Sequence, residues 1–155
     1  MTIYLVRHAK AGSRSEWEGD DWLRPLSPAG QAQARGLLGC FHDARFRHIL
    51  SSPYVRCMET VVPLSGAHGV EIAPTDALAE GAPLEGALML LKEHSDSGAL
   101  LCSHGDVIPM VLDHLAAGGL DIGNSPRCEK GSVWVLKTKG GDVVTARYVP
   151  PPSDD

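Results

Sequence analysis

Apolar residues along this chain fall into short runs separated by polar stretches rich in Gly and Pro. Residues 2–6 (Thr, Ile, Tyr, Leu, Val) are β-rich and do not alternate, which predicts a strand covered on both faces. A polar loop follows over residues 7–25. Ser27 and Pro28 then form an N-cap and first-position pair, and Ala34, Leu37, Leu38 and Phe41 fall on one face of the helix they open. Residues 48–51 predict a second short strand. Ser52 with Pro53 repeats the capping signal for a helix carrying Val55, Met58 and Val62 on one side, which Pro63 should end or kink. Residues 66–83 read as loop with a weak strand over 70–73, and residues 84–93 as a helix. A third apolar strand over 99–103 leads into a helix from about Asp106 to Ala117, with Pro109 tolerated in its first turn and Gly118 and Gly119 stopping it. Residues 132–137 and 143–148 alternate around Gly140 and Gly141, the pattern of a hairpin at a sheet edge.

Strands alternating with helices predict a three-layer α/β/α sandwich on a largely parallel central sheet. At 155 residues the chain is one domain, expected to span 1–149, with residues 150–155 (three prolines, then Ser153, Asp154 and Asp155) expected as a disordered tail. No internal repeat is visible. In such sheets ligands bind beyond the carboxyl ends of the strands. Arg7 and His8 follow the first predicted strand, Arg56 sits in the first turn of the helix after the second, and His104 with Gly105 follows the third. Two imidazoles and two guanidiniums are therefore expected at one crevice.

Composition narrows the partner. Hydrophobic residues make up 43% of the chain, which excludes a disordered protein, and 14 Lys and Arg against 19 Asp and Glu give a net charge of −5. That balance argues against a surface for nucleic acid or for an anionic membrane. A small partner is expected. Charge is uneven, with +2 over residues 1–60 and −7 over residues 61–155. Cys40, Cys57, Cys102 and Cys128 have no paired spacing, so reduced thiols and a cytoplasmic location are expected. No Cys has an Arg six positions on, and no signal-like or 18-residue apolar run is present.

Two arginines beside helix N-termini make an anion site, and phosphate is the anion that guanidinium forks match. A neutral imidazole can attack phosphorus while a second imidazole donates to the non-bridging oxygens. The leaving group still needs a proton. Glu80, among small and apolar neighbours, is the better candidate acid, and Asp76 lies in what reads as open loop. Other schemes fit less well: no Lys follows a Gly as in a P-loop, and no His-Glu-x-x-His occurs. The spacing of His42, His48, His68, His94 and His114 suggests no metal site and favours ordinary surface or loop roles. Trp17 and Trp22 read as a lid over the core or a base-stacking platform, with the lid favoured. Asp20 and Asp21 read as solvated charges or, less favoured, as ligands for a metal carried by the substrate.

With these residues in place, the sequence resembles the histidine phosphatase superfamily, whose fold is phosphoglycerate mutase-like. Leu5-Val6-Arg7-His8-Ala9 is similar to its nucleophile motif, the stretch from Ser51 to Thr60 to its second-arginine motif, and Ser103-His104-Gly105 to its second-histidine motif. The stretch from Arg24 to Ala34 resembles the family's opening helix. The resemblance implies His8 as a nucleophile that becomes phosphohistidine, with Arg7, Arg56 and His104 as the phosphate cage and Glu80 as proton donor. It implies neither metal nor other cofactor. Lys10, Arg14 and Gly105 complete the expected substrate-binding set. Short length and Arg-His-Ala in place of Arg-His-Gly resemble the SixA-like phosphohistidine phosphatases. Lys10 to Arg14 with Trp17, Gly19, Asp20 and Asp21 is more similar to the histidine-phosphatase domain attached to some MutT-type Nudix proteins. The implied substrate is thus a phosphomonoester or phosphoanhydride, with a nucleotide as one candidate and a phosphohistidine protein as another. A phosphate-binding module without turnover is the remaining alternative. Nothing resembles the insertions with which phosphoglycerate mutases enclose a sugar phosphate.

Overall fold

The computed structural model describes residues 1–123 and 127–153. Six strands form one sheet in the order β3-β2-β4-β1-β5-β6. They are β1 (Thr2–Arg7), β2 (His48–Ser51), β3 (Ile72–Pro74), β4 (Ala99–Ser103), β5 (Val133–Lys139) and β6 (Asp142–Val149). The strands β3, β2, β4 and β1 are mutually parallel, and the β5–β6 hairpin adds antiparallel to β1. Helices α1 (Pro28–Cys40), α2 (Val55–His68), α3 (Leu84–Glu93) and α4 (Val107–Ala117) cover the two faces.

Side-chain alternation along the strands divides the core in two. Ile3, Leu5, Leu101, Trp134 and Leu136 face α3 and α4, where Leu90, Leu91, Val107, Val111 and Leu112 are buried. Val6, Leu100, Cys102, Val133 and Val135 face α1 and α2, against Leu37, Phe41, Val61 and Leu64. The central strand β4 is buried at every position, as a strand covered on both sides must be.

Helix α1 starts as its sequence predicts: the Ser27 hydroxyl accepts from the Gly30 amide, and Pro28 occupies the first helical position. Leu38 departs from the expected face and is exposed, since Gln33, Ala34 and Leu37 take the inward stripe. Helix α2 differs more. It starts at Val55 rather than at Pro53, because the Ser52 hydroxyl accepts from the Tyr54 amide and meets His104 instead of capping a helix. Its buried face is Arg56, Cys57, Thr60, Val61 and Leu64, not Val55, Met58 and Val62. It also runs through Pro63 to His68 and closes on Gly69 in the left-handed conformation. Strand β3 begins two residues later than the sequence suggests. In the tail, Pro152 lies against Gly36 of α1, so residues 150–153 follow the body of the protein; Asp154 and Asp155, also assigned to a disordered tail, lie outside the described residues. No helix among the described residues is long and apolar enough to cross a membrane.

Candidate active site

The site grows from the carboxyl ends of the parallel strands. Arg7 pairs with Ser103 in the β1–β4 ladder, so the next residues, His8 and His104, leave the sheet side by side. The backbone knits this edge further. The His8 amide donates to the Ser103 carbonyl at 3.1 Å, and the Ser52 amide donates to the Cys102 carbonyl at 2.9 Å. The two imidazoles end with ring centroids 5.4 Å apart.

His8 is nearly buried, with 6% of its surface exposed. Its Nδ1 lies 2.7 Å from the Ala9 carbonyl. A carbonyl only accepts, so Nδ1 carries the proton and Nε2 keeps its lone pair. Burial is the largest cause that pushes the His8 pKa down to about 3; the Ala9 hydrogen bond opposes it, while His104, Arg56 and Arg7 add to it. A neutral nucleophilic nitrogen is the result. The Ala9 amide is held in turn by Thr60 Oγ1 at 3.0 Å.

His104 is positioned by donors behind it. Ser52 Oγ accepts from the Tyr54 amide and lies 2.8 Å from His104 Nε2, to which its hydroxyl can donate. The Cys57 thiol lies 3.5 Å from the same nitrogen. With Nε2 accepting, a neutral His104 carries its proton on Nδ1, a buried atom with no partner among the described residues. That N–H is free for a phosphoryl oxygen.

Arg7 and Arg56 flank the imidazoles. Arg7 donates from Nη1 to the Cys128 carbonyl at 2.6 Å, and its Nε is buried and unsatisfied; Arg56, 1% exposed, likewise has an unsatisfied Nε. Buried guanidinium N–H groups without acceptors are costly, and phosphate oxygens are their natural complement. A Cβ at Gly105 would sit 2.6 Å from Arg7 Cζ, so glycine there lets the guanidinium reach the cleft. The cleft itself has a volume of about 600 Å³, and its lining includes Arg7, His8, Arg14, Arg56, Glu80 and Gly105.

Four expectations change. Glu80 is not in an apolar surround: its Oε1 lies 3.3 Å from Arg14 Nη2 and 3.4 Å from Arg56 Nη2. Its loop is pinned by the Gly81 amide, which donates to Asp106 Oδ2 at 2.7 Å, while the Asp106 Oδ1 caps α4. Lys10 does not line this cleft. It lines a neighbouring hollow with Gln33, Glu129 and Pro152, because its backbone is held by Gln33 on one side and Ser27 on the other. Asp21 is not a lone solvated charge: its partly exposed carboxylate takes Arg24 at 3.0 Å, Arg56 at 3.1 Å and Arg14 at 3.6 Å. Partial burial would raise the Asp21 carboxyl, but hydrogen bonds and charge from Arg24 and Arg56 outweigh it and hold it below its ordinary value. With Asp21 turned inward, Trp17, Trp22 and Leu23 beside it face solvent, so the tryptophans cover no core. Asp20 gives its carbonyl to Trp17 Nε1.

Sequence reasoning gave no site role to Arg24, Gln33, Ser52, Asp106 or Lys130, and gave Asp21 only that of a solvated charge or a ligand for a metal carried by the substrate. Ser52 and Asp106 carried a signal, but as helix caps. No group of three or more His, Cys, Asp and Glu that could hold a metal ion occurs among the described residues.

A model of branch 1 of the histidine phosphatase superfamily matches residues 3–88. The chain belongs to the histidine phosphatase superfamily. Its mixed sheet flanked by helices is the phosphoglycerate mutase-like fold. The structure of the protein histidine phosphatase SixA complexed with tungstate matches with a TM-score of 0.76 and 14% identity, over 99% of this chain and 97% of that one. A SixA protein from Agrobacterium tumefaciens matches with a TM-score of 0.75 and 24% identity, over 98% and 97%. In sequence, the chain is 29% identical to an 8-oxo-(d)GTP phosphatase of Mycolicibacterium smegmatis, over 99% of this chain and 49% of that protein. This superfamily member thus spans about half the length of that relative.

Proposed function

We propose that the protein hydrolyses a small phosphomonoester or phosphoanhydride through a covalent phosphohistidine on His8. The observation that carries this reading is the fixed tautomer of His8, whose proton is held on Nδ1 by the Ala9 carbonyl and whose Nε2 keeps its lone pair in a cleft that Arg7 and Arg56 also line. Nε2 attacks phosphorus, the P–O bond to the leaving group breaks, and its electron pair goes to the departing oxygen. Arg7, Arg56 and the Nδ1–H of His104 stabilise charge on the flattening phosphoryl group. Glu80 gives a proton to the leaving oxygen, and as carboxylate it then takes one from the water that hydrolyses the phosphohistidine. The guanidiniums supply the positive charge of the site, so the reaction is assigned no metal. The 8-oxo-(d)GTP phosphatase relative supports a nucleotide among the substrates.

The test is rapid-quench labelling with a ³²P-phosphoester in the presence of EDTA. Acid-labile label should appear in the wild type and vanish in His8→Ala. Glu80→Gln should form label slowly from an alkyl phosphate but at near wild-type rate from p-nitrophenyl phosphate, whose leaving group needs little acid. Robust turnover by His8→Ala, or loss of all turnover in EDTA, would sink the mechanism. Preferential turnover of a phosphorylated histidine-containing carrier domain would instead make a protein the substrate.

A further inference from the structure

One side of the cleft is built by a segment that the reading above leaves without a task. Residues 128–131 lead into β5 and are clamped onto the nucleophile loop: the Gly131 amide donates to the carbonyls of Arg7 at 3.1 Å and His8 at 3.0 Å. Gln33 Nε2 donates to the Lys130 carbonyl at 3.4 Å, and the Cys128 carbonyl takes Arg7 Nη1. This segment therefore moves with His8. Of its residues Lys130 lines the cleft, at the border with the neighbouring hollow that it lines together with Lys10 and Gln33.

Lys130, exposed to solvent, differs from three of its cationic neighbours. Arg14, Arg24 and Arg56 each meet a carboxylate of Asp21 or Glu80. The Lys130 ammonium makes no hydrogen bond or ion pair with the described residues. Partial burial, followed by the charges of Arg7, Arg24, Arg14 and Arg56, lowers its pKa. An ammonium held among guanidiniums without a counter-ion is repelled by all of them, and a bound anion relieves that repulsion. The Arg7 and Arg56 cage accounts for one phosphoryl group; Lys130 asks for a second.

We propose that Lys130 holds the phosphate next to the one attacked, and that the substrate is a diphosphate, as in a nucleoside diphosphate. This assignment rests on the phosphohistidine reading. In the first step the Nε2–P bond to the terminal phosphorus forms and the bridging P–O bond breaks. The electron pair stays on the departing phosphate, whose new charge lies against Lys130. Water then releases inorganic phosphate and returns His8 to its neutral form. A departing phosphate asks less of Glu80 as an acid than an alkoxide does.

The test compares wild type, Lys130→Ala and Lys130→Arg on GDP, GMP and p-nitrophenyl phosphate. Lys130→Ala should lower the ratio of kcat/KM for GDP over GMP by about tenfold or more, the size expected for one charge-assisted contact. Lys130→Arg should restore most of it. Calorimetry with a methylene-bridged diphosphate analogue gives a readout apart from turnover: its Kd should weaken in Lys130→Ala while that of inorganic phosphate holds. An unchanged ratio, an equal loss on all three substrates, or a wild type that hydrolyses only monoesters would overturn the proposal. If His8 labels normally while the ratio stays put, Lys130 is misassigned and the phosphohistidine stands. If no label forms but the analogue still binds through Lys130, the reverse holds.

Discussion

Burial makes His8 useful and makes it a liability below neutral pH. In the folded protein its pKa falls from 6.5 to about 3, so the unfolded chain takes up a proton that the folded one refuses. Stability owed to the neutral ring is complete above about pH 6.5 and is lost as pH falls toward 3, at about 1.4 kcal/mol per pH unit for this one group. Urea titrations between pH 7 and 4 should therefore show a steeper decline for the wild type than for His8→Gln. Equal slopes would mean that the ring is protonated without penalty. Residues of this kind were visible in the sequence, since Arg7, His8 and His104 sit where strands end and Arg56 in a first helical turn. Asp21, Gln33 and Lys130 were not, because each acts from a loop or a helix face whose position depends on the whole fold. Asp21 illustrates the difficulty: beside Asp20 and Trp22 it looks like any exposed acid, yet it joins three arginines drawn from two loops and a helix.

Helix α1 acts on the site through its first turn. A Cβ at Gly30 would lie 1.8 Å from the Lys10 carbonyl, whose oxygen also accepts from the Ser27 amide and hydroxyl. At Gly39 in the same helix nothing lies within 4 Å. Intrinsic propensity alone favours alanine at both positions by about 1 kcal/mol. Gly39→Ala should raise Tm, whereas Gly30→Ala should lower stability by about 1–3 kcal/mol and depress activity by displacing the loop that holds His8. Thermal melts with matched rates decide between them, and a stabilising Gly30→Ala would show that the loop yields freely. Strands and helix α3 were legible to within a residue or two, since their apolar runs are short and sharply bounded. Helix α2 was not, because Ser52 and Pro53 imitate a cap while the Ser52 hydroxyl serves His104, and because Pro63 costs a hydrogen bond that packing by Val61 and Leu64 offsets.

Over the whole molecule, charge counted along the chain misses how charge is arranged in space. Lys130 comes from the acidic −7 segment, yet it faces the same cleft as Arg7, Arg14 and Arg56 from the +2 segment. Fold class was readable because alternation of strands and helices admits few topologies, but which loops close over which strand ends is decided by contacts distant in sequence. The placement of β1 and β4 has a further consequence. They are neighbours in the middle of the sheet, each paired on both sides, and each is followed directly by one of the two imidazoles of the cleft. Amides of these two strands should exchange with deuterium only when the entire domain opens, and those of residues 13–19 far sooner. Mass spectrometry of labelled peptides would show it, and early exchange in β4 would refute it. On this view the imidazole pair has no private route to disorder, so on heating the capacity to take up vanadate should disappear at the same temperature as the sheet itself.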